Sequence, residues 1–134
     1  MNLLVDTSVW SLALRRSESS QEKEVEILEE AILLGRAEII GPIRQELLSG
    51  VKSDSMFEKL RSALEPFPDI ILKRDDFETA ALFFNRCRNK GIQGSNTDFL
   101  ICSVAHRRGL KILTTDKDFL KFENVLGLSL LPPD

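Results

Sequence analysis

Along this chain the spacing of apolar residues alternates between short continuous runs and helical intervals. Leu3, Leu4 and Val5 form a run halted by Asp6, which predicts a strand buried on both faces of a parallel sheet. Val25, Leu28 and Ile32 then recur at helical spacing behind Ser19 and Glu22, a capping-box pair, and Gly35 supplies a C-terminal stop. Ala37 to Ile40 reads as a second strand. Gly41 and Pro42 turn the chain into a helix carrying Ile43, Leu47 and Val51 on one face, with proline near the first helical position, where its missing N–H costs nothing. Ser53 to Leu64 predicts another helix, and Ile70 to Leu72, after Pro66 and Pro68, a third strand. From Asp75 a periodic helix runs through Phe77, Ala81 and Phe84 to Gly91. Ser95 and Asp98 stand at capping-box spacing ahead of Phe99, Ile101, Cys102 and Ala105. Lys111 to Thr114 is a fourth strand and Leu128 to Leu131 a fifth.

Strands alternating with helices predict the α/β class: a single doubly wound domain over residues 1–134, with a central, mostly parallel sheet of four or five strands flanked by helices. The length of 134 residues suits one core, and no repeat or linker interrupts it. Hydrophobic residues make up 43% and charged residues 29%, the balance of a globular protein rather than a disordered one. No apolar stretch reaches membrane-spanning length, so no membrane association is expected. Cys87 and Cys102 lie in helical patterns, which predicts buried free thiols in a reducing compartment and a cytoplasmic location. Eighteen basic against 21 acidic residues leave a net charge of −3, so any contact with a polyphosphate must be local. Arg15 with Arg16, Lys73 with Arg74, the run Arg86, Arg88 and Lys90, and Arg107 with Arg108 are the candidate patches; a solvated face is the ordinary explanation for most of them.

Ligands collect beyond the carboxyl ends of the strands in such sheets. Asp6 follows the first strand, Glu46 lies early in the helix after the second, and Asp116 follows the fourth. Asp98 arrives by another route. Its helix is joined to the fourth strand through Gly109 and Leu110 alone, so it runs antiparallel to that strand and begins at the same edge. Singly, each acid has a structural explanation as a cap or a solvated side chain. Together they repel: two carboxylates about 5 Å apart cost roughly 3 kcal/mol at an effective dielectric of 20. Hard divalent cations relieve that repulsion, whereas zinc is disfavoured by the single histidine, His106, and by cysteines without ligand spacing. His106 itself reads as a surface residue at the end of its helix. A Mg²⁺ or Mn²⁺ site supplies what phosphodiester hydrolysis needs.

The chain resembles a PIN domain, and within that superfamily the VapC toxins of toxin–antitoxin pairs. The resemblance rests on Leu4-Val5-Asp6-Thr7-Ser8-Val9-Trp10, Pro42-Ile43-Arg44-Gln45-Glu46-Leu47-Leu48-Ser49-Gly50, Asp98-Phe99-Leu100-Ile101 and Leu113-Thr114-Thr115-Asp116-Lys117-Asp118-Phe119. It implies an endoribonuclease using Mg²⁺ or Mn²⁺ to cut RNA, commonly a homodimer, held inactive by a cognate antitoxin. Asp6, Glu46, Asp98 and Asp116 match the family's acidic quartet and Thr114 a hydroxyl residue that steadies it, with Thr7 and Asp118 as further supporting residues; Asp116 is favoured over Asp118 as the acid nearer the metal. Cys102 and Ser103 stand where relatives tend to carry alanines, on the helix body away from the chemistry.

Three other readings compete. A haloacid dehalogenase-type phosphotransferase needs a second aspartate where Ser8 stands, and a receiver domain needs acids paired ahead of its phosphorylated aspartate, whereas Asp6 stands alone. A catalytically silent PIN-fold module that binds RNA or serves as a scaffold is the alternative from another class. Loss of activity in such a fold usually removes an acid, and all four are present.

Overall fold

The computed structural model describes residues 2–15 and 22–131, with Arg15 described by its backbone only. The order of elements is β1 (Leu3–Val5), α1 (Thr7–Arg15), α2 (Lys23–Leu33), β2 (Ala37–Glu38), α3 (Gly41–Leu48), α4 (Asp54–Leu64), α5 (Arg74–Asn89), α6 (Asn96–Arg108), β3 (Lys111–Leu113), α7 (Asp118–Leu126) and β4 (Leu130–Leu131). The four strands lie in the order β2-β1-β3-β4, every pairing parallel. β1 sits centrally, pairing Leu3 to Val5 with Lys111 to Leu113 on one side and Leu3 and Leu4 with Ala37 and Glu38 on the other. Its three residues are all buried, as a parallel strand covered on both faces requires.

The core continues through Val9, Trp10, Leu28, Ile39, Ile40 and Ile43 and through Phe83, Phe99, Ile101, Phe119 and Phe122. Aromatic edges interlock there: Phe84 meets Phe99 at 5.5 Å, Phe99 meets Phe122 at 4.8 Å and Phe119 meets Phe122 at 5.2 Å between ring centroids. Cys87 and Cys102 are buried free thiols, in accord with their helical pattern. His106 is exposed, with its ring edge-on to Phe83.

Four expectations are corrected. Ile70 to Leu72 is not a strand: the segment touches the sheet at one bridge, Ile39 with Asp69, and one hydrogen bond from Ile70 N–H to the Ile39 carbonyl at 2.9 Å. With Ile71 79% exposed, further pairing there would bury nothing. The preceding turn is held instead by Arg44, which donates to the carbonyls of Leu64 and Phe67 and to Asp69. Val51 lies beyond α3, because the helix ends at Leu48 and Gly50 takes φ +83°, a left-handed turn that redirects the chain. On α5 the buried residues are Asp76, Ala80, Phe83 and Cys87; of the predicted Phe77, Ala81 and Phe84, only Phe84 packs against the core, and Phe77 is 51% exposed. The register of that face is set by an acid. Asp76, fully buried, accepts from Lys73 N–H at 2.8 Å, Arg107 Nε at 3.0 Å and Arg108 Nη1 at 2.6 Å, and its carbonyl accepts from Ser103 Oγ at 2.7 Å. These bonds lock α5 onto α6. Finally, the second and last strands are shorter than expected. On α2, Glu22 is the N-terminal residue without a side-chain cap, and Ser19 lies outside the described residues.

Candidate active site

The carboxyl ends of β1 and β3 are side by side, because the ladder continues one bond past β1: Asp6 N–H donates to the Leu113 carbonyl at 2.9 Å. Asp6 therefore emerges beside Thr114. Its carbonyl receives the first bonds of α1, from Val9 and Trp10, while its carboxylate is held from both loops. Oδ2 accepts from Ser8 Oγ at 2.8 Å and from Thr114 Oγ1 at 2.8 Å. Only 6% of the residue is exposed, and burial pushes its carboxyl above the ordinary range, against the opposing pull of Thr114, Ser8 and the backbone of Thr7 and Ser8.

Thr114 works in two directions. While donating to Asp6 it accepts from Asp116 N–H at 2.9 Å, so one hydroxyl joins the acid after β1 to the acid after β3. Asp116 Oδ1 in turn accepts from Asp118 N–H at 2.9 Å and caps the entry to α7. Asp118 is exposed, 4.0 Å from Lys121, whereas Asp116 is half-buried.

Asp98 enters from α6. Ser95 caps the helix by accepting from Asp98 N–H at 3.0 Å, and Asp98 Oδ2 accepts from Ser95 N–H at 3.0 Å, the reciprocal box its spacing predicts. Burial is the main cause of its raised carboxyl; Ser95 opposes the shift, and the negative charges of Asp6 and Asp116 add to it. Asp98 thus feels the charge of both Asp6 and Asp116. Glu46 joins at one remove: exposed on α3, it accepts from Thr7 Oγ1 at 2.7 Å through Oε1, next in sequence to Asp6.

Among the described residues, no three His, Cys, Asp or Glu side chains stand close enough to enclose a metal ion directly. The donor chemistry nevertheless fits a hard cation. All the groups offer oxygen, Asp6 and Asp116 each repel Asp98, and Mg²⁺ is usually carried by one or two carboxylates with its own water. One or two of Asp6, Asp98 and Asp116, with water completing the shell, could hold such an ion.

Ser8 is the site residue that sequence reasoning left without a role. It donates to Asp6 and accepts from Thr115 N–H at 3.1 Å, which ties the start of α1 to the loop after β3. A hydroxyl two residues after a strand-ending aspartate, in the first turn of a helix, was the available signal. Of the basic pairs, Arg107 and Arg108 are spent on Asp76, and the Arg15 side chain and Arg16 lie outside the described residues.

A parallel α/β sheet with acids gathered at its carboxyl edge defines the class, and the sequence model of the PIN domain family matches residues 3–125: the chain belongs to the PIN domain family. Among solved structures it is similar to FitAcB from Neisseria gonorrhoeae, at 18% identity with 98% of this chain and 97% of that one covered and a TM-score of 0.75. It is also similar to DNA-bound VapBC from Salmonella typhimurium, at 17% identity, 97% and 96% coverage and a TM-score of 0.74. A toxin–antitoxin complex from Klebsiella pneumoniae matches at 18% identity, 99% and 98% coverage and a TM-score of 0.68. At these identities the likeness is one of fold. Comparison with curated protein sequences gives no match.

Proposed function

We propose that this protein is a Mg²⁺- or Mn²⁺-dependent endoribonuclease, a single PIN unit over residues 1–134 that acts in the cytoplasm as the toxin of a VapBC-type toxin–antitoxin pair. The observation that carries the reading is the pair of acids, Asp6 and Asp116, joined through Thr114 at the carboxyl edge of a PIN sheet, with Asp98 near enough to feel both charges. In this reading those three acids and Glu46 form the catalytic group, with Thr7, Ser8, Thr114 and Asp118 supporting them. A bound divalent ion supplies an acidified water and positive charge for the phosphoryl oxygens. The chain's own contribution is positioning. Ser8 and Thr114 fix the Asp6 carboxylate, Thr114 aligns the backbone of Asp116, Ser95 orients Asp98, and Thr7 holds Glu46.

A cognate antitoxin and a second copy of the chain are the proposed protein partners. Support for the antitoxin comes from the toxin–antitoxin complexes that share the fold and from an apolar groove of about 390 Å³, bordered by Leu14, Leu47, Val51, Met56 and Leu60, that suits a protein segment better than a polyphosphate. The buried free thiols fit a reducing compartment, and among the described residues no helix is long and apolar enough to cross a membrane.

The test is cleavage of total RNA by the purified chain with Mn²⁺, with chelator, and with Asp98→Asn. Cutting with Mn²⁺ alone is expected. Cutting that persists in chelator and in the variant would overturn the proposal, and RNA binding without any cleavage would favour the silent module.

A further inference from the structure

With a net charge of −3, the chain needs a local cation to receive RNA, and several of its arginines are already engaged. Arg44 is bound to Asp69, Arg61 to Glu58, and Arg107 and Arg108 to Asp76. Arg88, exposed at the end of α5, makes no ion pair among the described residues, as is also true of Arg36, Arg74 and Arg86; of these four it alone lines a cavity that the helix of Asp98 helps to build.

Arg88 also borders a cavity of about 230 Å³ whose other walls are Phe84, Ile92, Gln93, Gly94 and Phe99. Two pieces of backbone join this cavity to Asp98. Gly94 precedes Ser95, whose N–H holds Asp98, and Phe99 follows Asp98 directly. Its back wall is rigid: a Cβ on Gly94 would stand 2.7 Å from Phe122 Cζ and 2.9 Å from Phe99 Cε2, and Phe99 is wedged between Phe84 and Phe122. A guanidinium fork, a side-chain amide and aromatic edges beside an acidic edge are the parts that a single strand requires. The fork takes a phosphate, and the half-buried Phe84 ring offers an apolar edge beside it.

We propose that this cavity is a subsite for the RNA backbone, with Arg88 and Gln93 binding a phosphate that flanks the bond to be cut. The inference rests on the nuclease reading and adds a substrate site to it. Arg86 provides an internal control. It carries the same charge on the same helix but does not line the cavity, since two residues along a helix turn a side chain to the opposite side.

The experiment compares Arg88→Gln, Arg86→Gln and Arg88→Lys with the parent, each confirmed folded by its melt. It follows binding of 2′-O-methyl oligo(U) and oligo(A) by fluorescence anisotropy across a salt series, and cleavage of an unmodified RNA in Mn²⁺. Arg88→Gln is expected to weaken binding about tenfold on both sequences, to lower the slope of log K against log salt by about 0.7, and to raise KM with little change in kcat. Arg86→Gln should leave these values near the parent's, and Arg88→Lys should restore part of the affinity. If the parent binds and cuts RNA while Arg88→Gln and Arg86→Gln behave alike, the subsite is wrong and the nuclease reading stands. A loss confined to one sequence would refute a phosphate contact, and a parent that neither binds nor cuts RNA would overturn both.

Discussion

Replacing Asp98 by asparagine should abolish cleavage and, in metal-free protein at neutral pH, make the fold more stable. Burial, together with the charges of Asp6 and Asp116, raises the Asp98 carboxyl, so ionising it in the native state is unfavourable. Two unit charges 4 Å apart repel by about 1 kcal/mol in water and by about 4 kcal/mol at an effective dielectric of 20; for a partly exposed carboxylate facing two others, roughly 2 kcal/mol in total is a fair magnitude. Against this stands the helix N-terminus, where a negative charge contributes about 0.3 to 1 kcal/mol. The asparagine oxygen can still accept from Ser95 N–H, so the cap is weakened rather than lost. Repulsion wins by about 1 kcal/mol, a rise in Tm of about 3 to 5 °C for a chain of this size. The pH dependence has a definite sign. Native Asp98 binds its proton more tightly than the unfolded chain does, so wild-type stability falls as pH rises from about 4 through the raised value. The variant's advantage should therefore be full at pH 7.5 and vanish below about pH 4. Millimolar Mn²⁺ should reverse the order, stabilising the wild type more than the variant by mass action. Differential scanning calorimetry at several pH values, with and without Mn²⁺, measures all of this. An asparagine variant that melts at or below the wild type in chelator at pH 7.5 would refute the coupling among the three acids.

Thr114→Val keeps the shape but removes the hydroxyl shared by Asp6 and Asp116 N–H, and should cost about 1.5 to 3 kcal/mol by thermal melt; an NMR titration should find the Asp6 carboxyl moved further up. Asp76→Asn strips the charge partner from Arg107 and Arg108 and should cost about 3 to 5 kcal/mol in urea unfolding. The Arg108 and Arg107 bonds hold the Asp76 carboxyl well below the usual range, so its contribution is present above about pH 4 and lost as pH falls through the lowered value; the variant's deficit should shrink in acid. Gly94→Ala should destabilise by about 1 to 3 kcal/mol through overpacking against Phe122 and Phe99, and equal melts for parent and variant would contradict that contact.

Much of this molecule is local, and the local part is legible in one dimension. A continuous apolar run such as Leu3 to Val5 allows little but a buried strand, and the spacing of Ser95 and Asp98 allows a capping box that forms as predicted. The placement of Asp6, Glu46, Asp98 and Asp116 near one edge follows from chain direction alone, because parallel crossovers bring the strands up the same way. Tertiary structure decided what depends on partners distant in sequence. The inward face of α5 is chosen by Asp76 meeting Arg107 and Arg108, and a hydropathy pattern scores an aspartate as outward. Ile70 to Leu72 has the composition of a strand, but Arg44 holds the turn before it, and one bridge is all the pairing it makes. Ser8 gained its place only when β3 lay beside β1, since the groups it joins to Asp6 are more than a hundred residues away. Periodicity reports which side of an element is apolar; it carries no information about which hydrogen-bonding group arrives from elsewhere, and in this protein those groups set the positions of the acids.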